Sequence, residues 1–234
     1  VADTVEPLTE DDRINAFVVD DSLFERTSCK KTELGSRVFD HVSMRYRKGY
    51  RLMALGWTDG NTYLPINSCL LASSKETNLI GPVKHCDGRS LAARRRSLAQ
   101  MKGTDVMIEL LKTAQKAGHK ADYVLFDTWF SSPAQLIAVK NLGLDSIAMI
   151  KKSSRIYYEY EGEQLSIKKI FGICKKRRGR SKYLLSVNVM VGKEKIPAKI
   201  VCVRNKKNKK NWIAFICTNP ELSEEEIIRI YGKR

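Results

Sequence analysis

Two short apolar runs, each stopping at an aspartate, constrain this chain more than anything else in it. Phe17-Val18-Val19-Asp20 and Val124-Leu125-Phe126-Asp127 share one design. A run of β-branched and aromatic residues without polar alternation reads as a strand buried on both faces. In open α/β sheets ligands sit outside the carboxyl ends of the strands, so two carboxylates placed there can converge on one site. An acid also ends strands simply as a turn former, and the surrounding pattern has to separate the two readings.

The rest of the chain supplies that pattern. Ala16–Val19 is the first strand, ending at Asp20 and Asp21. Tyr50–Trp57 and Tyr63–Leu71 read as two more strands joined by Thr58-Asp59-Gly60-Asn61, and Asp-Gly between apolar runs is a strong hairpin signal. Within Asp105–Ala117 the apolar residues keep helical spacing, with Gly118 as the stop and the basic cluster Arg94–Arg96 leading in. Tyr123–Phe126 is the next strand. Ser131-Ser132-Pro133 then caps a helix running to about Asn141, and Ser146–Ile150 follows as a fifth strand. Three strands, then helix, strand, helix, strand is the order of a ribonuclease-H-like α/β fold with a mixed sheet.

Beyond Lys151 the texture changes. Arg155–Tyr160, Tyr183–Met190, Ile196–Val203 and Trp212–Cys217 read as strands without long helices between them. Ser223 with Glu226 forms a capping box that opens a helix over Glu224–Tyr231. The predicted organisation is therefore a first core part over 1–150, a β-rich insertion over 151–220, and the start of a further core helix over 221–234.

Charge follows the same division. The chain carries 42 Lys and Arg against 26 Asp and Glu, a net +16. Lys151–Pro220 alone holds 19 bases and four Glu, so +15 of that excess sits in one third of the chain. The bases crowd two connectors, Lys175, Lys176, Arg177, Arg178 and Arg180 in one, Lys206, Lys207, Lys209 and Lys210 in the other. A concentrated basic stretch fits a phosphate backbone better than a generic soluble surface. Hydrophobic residues at 43% make global disorder untenable. No apolar run approaches a transmembrane span and no signal peptide opens the chain, so a membrane partner is not expected. The six cysteines lack any CxxC pair and read as free thiols. The first residue is Val in an acidic stretch, which suggests a start inside a longer protein.

At the aspartate segments the sequence resembles a known family. Phe17–Arg26, with Asp20 ending the run and Ser22 two positions on, is similar to the first catalytic-aspartate segment of transposases of the insertion-sequence-four group. Gly49–Ser73, with Gly56-Trp57-Thr58-Asp59-Gly60, resembles that family's second and third strands, and Tyr123–Ser132 its second catalytic-aspartate segment. At the end of the chain Tyr231 and Arg234 match the opening of the family signature Tyr, two residues, Arg, three residues, Glu, six residues, Lys. The resemblance implies a DDE transposase that cuts and rejoins double-stranded DNA with two Mg²⁺ or Mn²⁺ ions. Asp20 and Asp127 would hold metal, with Asp21 the alternative to Asp20, and the third carboxylate would lie four residues beyond Arg234. Tyr231 and Arg234 would grip an end phosphate, a task suited to the arginine fork. A bacterial cytoplasmic setting and a homodimer joining two transposon ends are implied as well. A non-catalytic DNA-binding remnant would show the same charge footprint, whereas another ribonuclease-H-like nuclease, the alternative among enzymes, would not need the Tyr231 and Arg234 register.

Other conspicuous residues have plainer readings. Trp129-Phe130 could stack on an extruded base, but packing beneath the site is the commoner fate of such a pair. His41 and His119, in polar or turn-like surroundings, are expected at the surface. The acids Glu224–Glu226 suit the first turn of a helix and need no catalytic role.

Overall fold

The apolar runs become strands largely where the pattern puts them, in a computed structural model that describes residues 4, 13–179, 181–208 and 211–234. The strands are β1 (Ala16–Glu25), β2 (Ser36–Asp40), β3 (Arg45–Thr58) and β4 (Tyr63–Leu71). Helices α1 (Leu91–Ala99) and α2 (Gly103–Lys116) follow, then β5 (Tyr123–Phe126), α3 (Pro133–Lys140) and β6 (Asp145–Ile150). The remainder is β7 (Tyr157–Tyr160), β8 (Glu163–Ser166), α4 (Ile167–Ile173), β9 (Tyr183–Val191), β10 (Ile196–Arg204), β11 (Trp212–Cys217) and α5 (Glu224–Tyr231). The chain forms two compact units. One comprises the chain up to Val18, Trp57–Leu64 and His119–Arg234; the other comprises Val19–Gly56 and Pro65–Gly118.

In the first unit β1 runs parallel to β5, pairing Ala16 with Tyr123, Phe17 with Val124 and Val18 with Leu125. β5 runs parallel to β6, and β6 takes β11 as an antiparallel neighbour, with Ile147 opposite Cys217. From β11 the sheet continues through β10, β9 and β7 to β8. The basic strands thus extend the sheet edge to edge from β6. All four residues of β5 are buried, as a strand covered on both faces requires. One part of the core joins Val18, Leu125, Ile147, Val201 and Phe215 to Ile227 and Ile230 of α5.

Helix ends follow local chemistry. The Ser132 side chain accepts the Gln135 N–H ahead of α3, with Pro133 in the first turn. At α5 Ser223 accepts the Glu226 N–H while the Glu226 carboxylate accepts the Ser223 N–H, a complete capping box. Ser223→Ala removes one arm and is expected to cost about 1 kcal/mol of stability, read as a fall in urea midpoint at unchanged slope. An unchanged midpoint would mean that tertiary contacts alone hold the helix.

In the second unit β3 has β2 and β4 as partners, and its first half lies beside the continuation of β1, where the Arg26 N–H donates to the Lys48 carbonyl at 2.8 Å. Here expectation and structure part. The strand predicted to stop at Asp20 continues to Glu25, because the apolar run marks where burial ends rather than where pairing ends: Ala16–Val19 are buried, while Asp20, Ser22, Phe24 and Glu25 are exposed. Strands β2 and β8 and helix α4 were not legible as runs. Arg94–Arg96 lie inside a helix of their own, α1, in which only Ala99 is buried.

Candidate active site

Each aspartate of the two runs has a distinct surrounding. Asp20 is exposed on β1, and its Oδ1 accepts the Asp21 N–H at 3.0 Å. Asp21 is committed elsewhere: the Arg51 Nε donates to its Oδ2 at 2.5 Å, and its side chain is 9% exposed. Arg51 also donates to the Phe39 carbonyl at 3.4 Å. That pairing rests on the lateral match of β1 with β3, so no local spacing in the sequence announces it. Asp127 follows β5 directly and is half-buried. Its Oδ1 accepts the Trp129 N–H at 2.8 Å, which pins the turn leading into α3. The turn-former reading of Asp127 is therefore realised, with Oδ2 left beside that bond. Among the described residues no group of three or more His, Cys, Asp and Glu could hold a metal ion.

The residues after Asp127 divide. Phe130 is buried, whereas Trp129 is half exposed with the Lys151 ammonium 5.3 Å from its ring centroid. The expectation of an exposed His119 is corrected: it is 8% exposed, and its Nδ1 is buried without a hydrogen-bond partner. The chain turns at Gly118, φ +88, so the polar residue that follows is carried inward on the approach to β5. His41 is exposed as expected.

At the C-terminal end Tyr231 closes α5 and packs edge-on against Phe215, centroids 4.8 Å apart. Arg234 is exposed, with its Nη1 3.5 Å from the Tyr231 hydroxyl, as the three-residue spacing on a helical turn brings about. Between them Lys233 reaches back, its Nζ donating to the Asp59 carbonyl at 2.8 Å. Asp59 itself is fully buried and ion-paired to Arg13 at 2.8 Å, and its Oδ1 accepts the Asn61 and Thr62 N–H groups at 2.9 and 2.7 Å. Burial would raise its pKa, but those two amides and the Arg13 guanidinium outweigh it and hold the carboxyl below the ordinary aspartate value. Desolvation lowers the Lys233 pKa, aided by Arg229 and Arg13 and opposed by Asp59. The local pattern of Thr58–Asn61 marks a hairpin turn and leaves Lys233 without a role. The Asp-Gly pair signals the turn, but not the cation that it anchors.

The basic connectors are uneven. Lys175, Arg177 and Arg178 are exposed, but the Arg177 fork is bidentate on Glu224 in the first turn of α5, one bond at 2.6 Å. Lys176 is half-buried, donating to the Gly172 carbonyl at 2.9 Å and lying 5.1 Å from the Phe171 ring centroid. Lys206 and Lys207 are exposed at the turn after β10. Arg180, Lys209 and Lys210 lie outside the described residues. All six cysteines are free thiols, as expected.

A family model described as DDE superfamily endonuclease matches residues 1–168. The chain belongs to that family. Comparison with curated proteins finds no match. Among solved structures the DDE-family chain is similar to a piggyBac transposase synaptic complex with hairpin DNA, at 15% identity and a TM-score of 0.50. The match covers 93% of this chain and 37% of that one. The likeness is one of fold, and the ribonuclease-H-like α/β class expected from the element order is the class observed.

Proposed function

We propose that this DDE-family chain is the catalytic domain of a cut-and-paste DNA transposase related to the insertion-sequence-four group. The observation that carries the reading is the parallel pair β1 and β5. Its register ends at Val18 opposite Leu125, and each strand meets an aspartate two residues later, Asp20 and Asp127. Hard carboxylate oxygens suit Mg²⁺ or Mn²⁺. Asp21 fits that role less well, since it is bound to Arg51. Two such ions would activate the attacking oxygen and stabilise the leaving one. Asp20 and Asp127 would hold the ions, Tyr231 and Arg234 would contact an end phosphate, and the exposed bases Lys175, Arg178, Lys206 and Lys207 would follow the duplex backbone. The partners are transposon-end and target DNA, with a second copy of the chain in the joined complex and a bacterial cytoplasmic location.

The test uses the full-length protein and duplex DNA carrying the ends of its element. Nicking is expected with Mg²⁺ or Mn²⁺, lost on adding EDTA and restored by excess Mg²⁺, with the gel shift persisting throughout. Nicking that survives EDTA rules out the metal-dependent mechanism. The concentrated basic stretch also favours a second reading, a non-catalytic DNA-binding protein. Tight duplex binding with no cleavage in any divalent ion would select it.

A further inference from the structure

The β2–β3 hairpin carries features that the sheet itself does not need. Its register sets Arg37 opposite Lys48 and Phe39 opposite Tyr46, so these four side chains share one face. Arg37 and Lys48 are both exposed, and like charges directly opposite each other destabilise a strand pair. Beyond them the tip is tightly tied. Asp40 accepts the Val42 N–H at 3.0 Å on one oxygen, and the Ser43 N–H and hydroxyl at 3.2 and 2.5 Å on the other. Met44 takes a left-handed backbone, φ 54, unfavourable for a side chain of its kind. This fixed turn holds apolar groups in water: Val42 is 94% exposed, Met44 68% and Tyr46 69%. Tyr46 is steadied edge-on by Phe39 at 5.3 Å, and His41 also lies edge-on to that ring at 5.0 Å. Arg26–Arg51 contains eight bases and two acids; Arg51 is paired with Asp21 and Arg47 with Glu25 from the preceding strand, and Arg37 and Lys48 stay exposed.

We infer that this hairpin is a DNA-reading ribbon. It enters a groove of duplex DNA with Val42 and Met44 toward the base edges and with Arg37 and Lys48 against phosphate. The inference rests on the DNA-acting role proposed above. A two-stranded ribbon fits the major groove, about 12 Å wide, where apolar side chains meet thymine methyls. Bases on both strands behind an apolar tip suit a polyanion better than an apolar protein face. Phosphate neutralises the Arg37–Lys48 repulsion, so a pair that is unfavourable in the isolated protein becomes favourable in the complex.

The experiment is fluorescence anisotropy of the full-length protein on duplex DNA over a range of salt concentrations. Replacing Arg37→Gln and Lys48→Gln together is expected to flatten the log–log salt slope by about 1.8, two phosphate contacts' worth, with the thermal midpoint unchanged or raised. Val42→Ser with Met44→Ser should weaken binding without changing that slope. If the slope is unaltered by the Arg37 and Lys48 changes but falls with Lys206→Glu and Lys207→Glu, the hairpin inference is overturned and the DNA-binding reading stands. A wild-type protein that binds no duplex defeats that reading itself. If the tip variant only converts a dimer to a monomer by light scattering, with DNA binding intact, the tip is a contact between copies and the inference also falls.

Discussion

In the full-length protein, Asp20→Ala and Asp127→Asn are each expected to reduce metal-dependent strand cleavage by at least about 10³-fold, roughly 4 kcal/mol of transition-state stabilisation. Duplex binding should stay within about twofold, because phosphate contacts dominate affinity and neither residue is a base. The two substitutions differ for a structural reason. Asp20 is exposed, so truncation leaves no cavity. The Asp127 carboxylate also holds the turn through the Trp129 N–H, and asparagine keeps that acceptor while removing the charge. Loss of cleavage in Asp127→Asn therefore reports on metal binding rather than on the turn. Asp21→Ala is the internal control. It breaks the Arg51 pair and lowers stability, but should leave cleavage of the folded protein near wild type. If Asp21→Ala abolishes cleavage and Asp20→Ala does not, the metal ligand is Asp21. If cleavage survives the loss of both Asp20 and Asp127, the site is elsewhere.

Asp59→Ala is expected to cost about 2 kcal/mol of folding stability, the range for removing a buried acceptor of two backbone amides, with a smaller share from its partly exposed partner Arg13. It removes the acceptor of two backbone amides and the partner of Arg13. It also takes a negative charge from the neighbourhood of Lys233, whose ammonium is already disfavoured by desolvation. Asp59→Asn preserves the amide acceptor and should cost roughly half as much. The same carboxylate sets an acid limit. Its folded pKa lies below the ordinary value, so the folded state binds its proton less readily than the unfolded chain does. Its contribution is fully present above the unfolded pKa of about 3.9 and is lost as pH falls through the lower folded value. Urea midpoints of wild type and Asp59→Ala should therefore differ near neutral pH and approach each other below that value. Parallel curves down to strongly acidic pH would show that Asp59 carries no such linkage.

Much of this protein was legible because several of its signals are local. The four apolar residues of β5, the Ser132-Pro133 start of α3, the Ser223 capping box of α5 and the whole of β11 depend on short-range burial pattern or on side chains bonding their own backbone. The family resemblance at Asp20 and Asp127 was visible for the same reason, since each acid closes its own run. The β7–β8 hairpin carries a local mark as well. Glu161 and Gly162 take φ values of 52 and 83 in a two-residue loop that suits a tight hairpin.

Other features depended on residues distant in sequence. β1 continues past Asp20 because β3 pairs with it, although its own pattern turns polar there. Asp21 is neutralised by Arg51, 30 positions on, and Asp59 holds a cation 174 positions away. His119 is buried by the path of the chain after Gly118, and Arg177 is drawn to Glu224 by the closeness of α5. The sequence alone determined most of the segments that form strands and helices, the mixed α/β class and the two aspartates to test. Only the tertiary structure decided which charges are spent on one another and which face solvent. Strand register and packing choose those partners, and both are set by chain segments that local spacing cannot bring together.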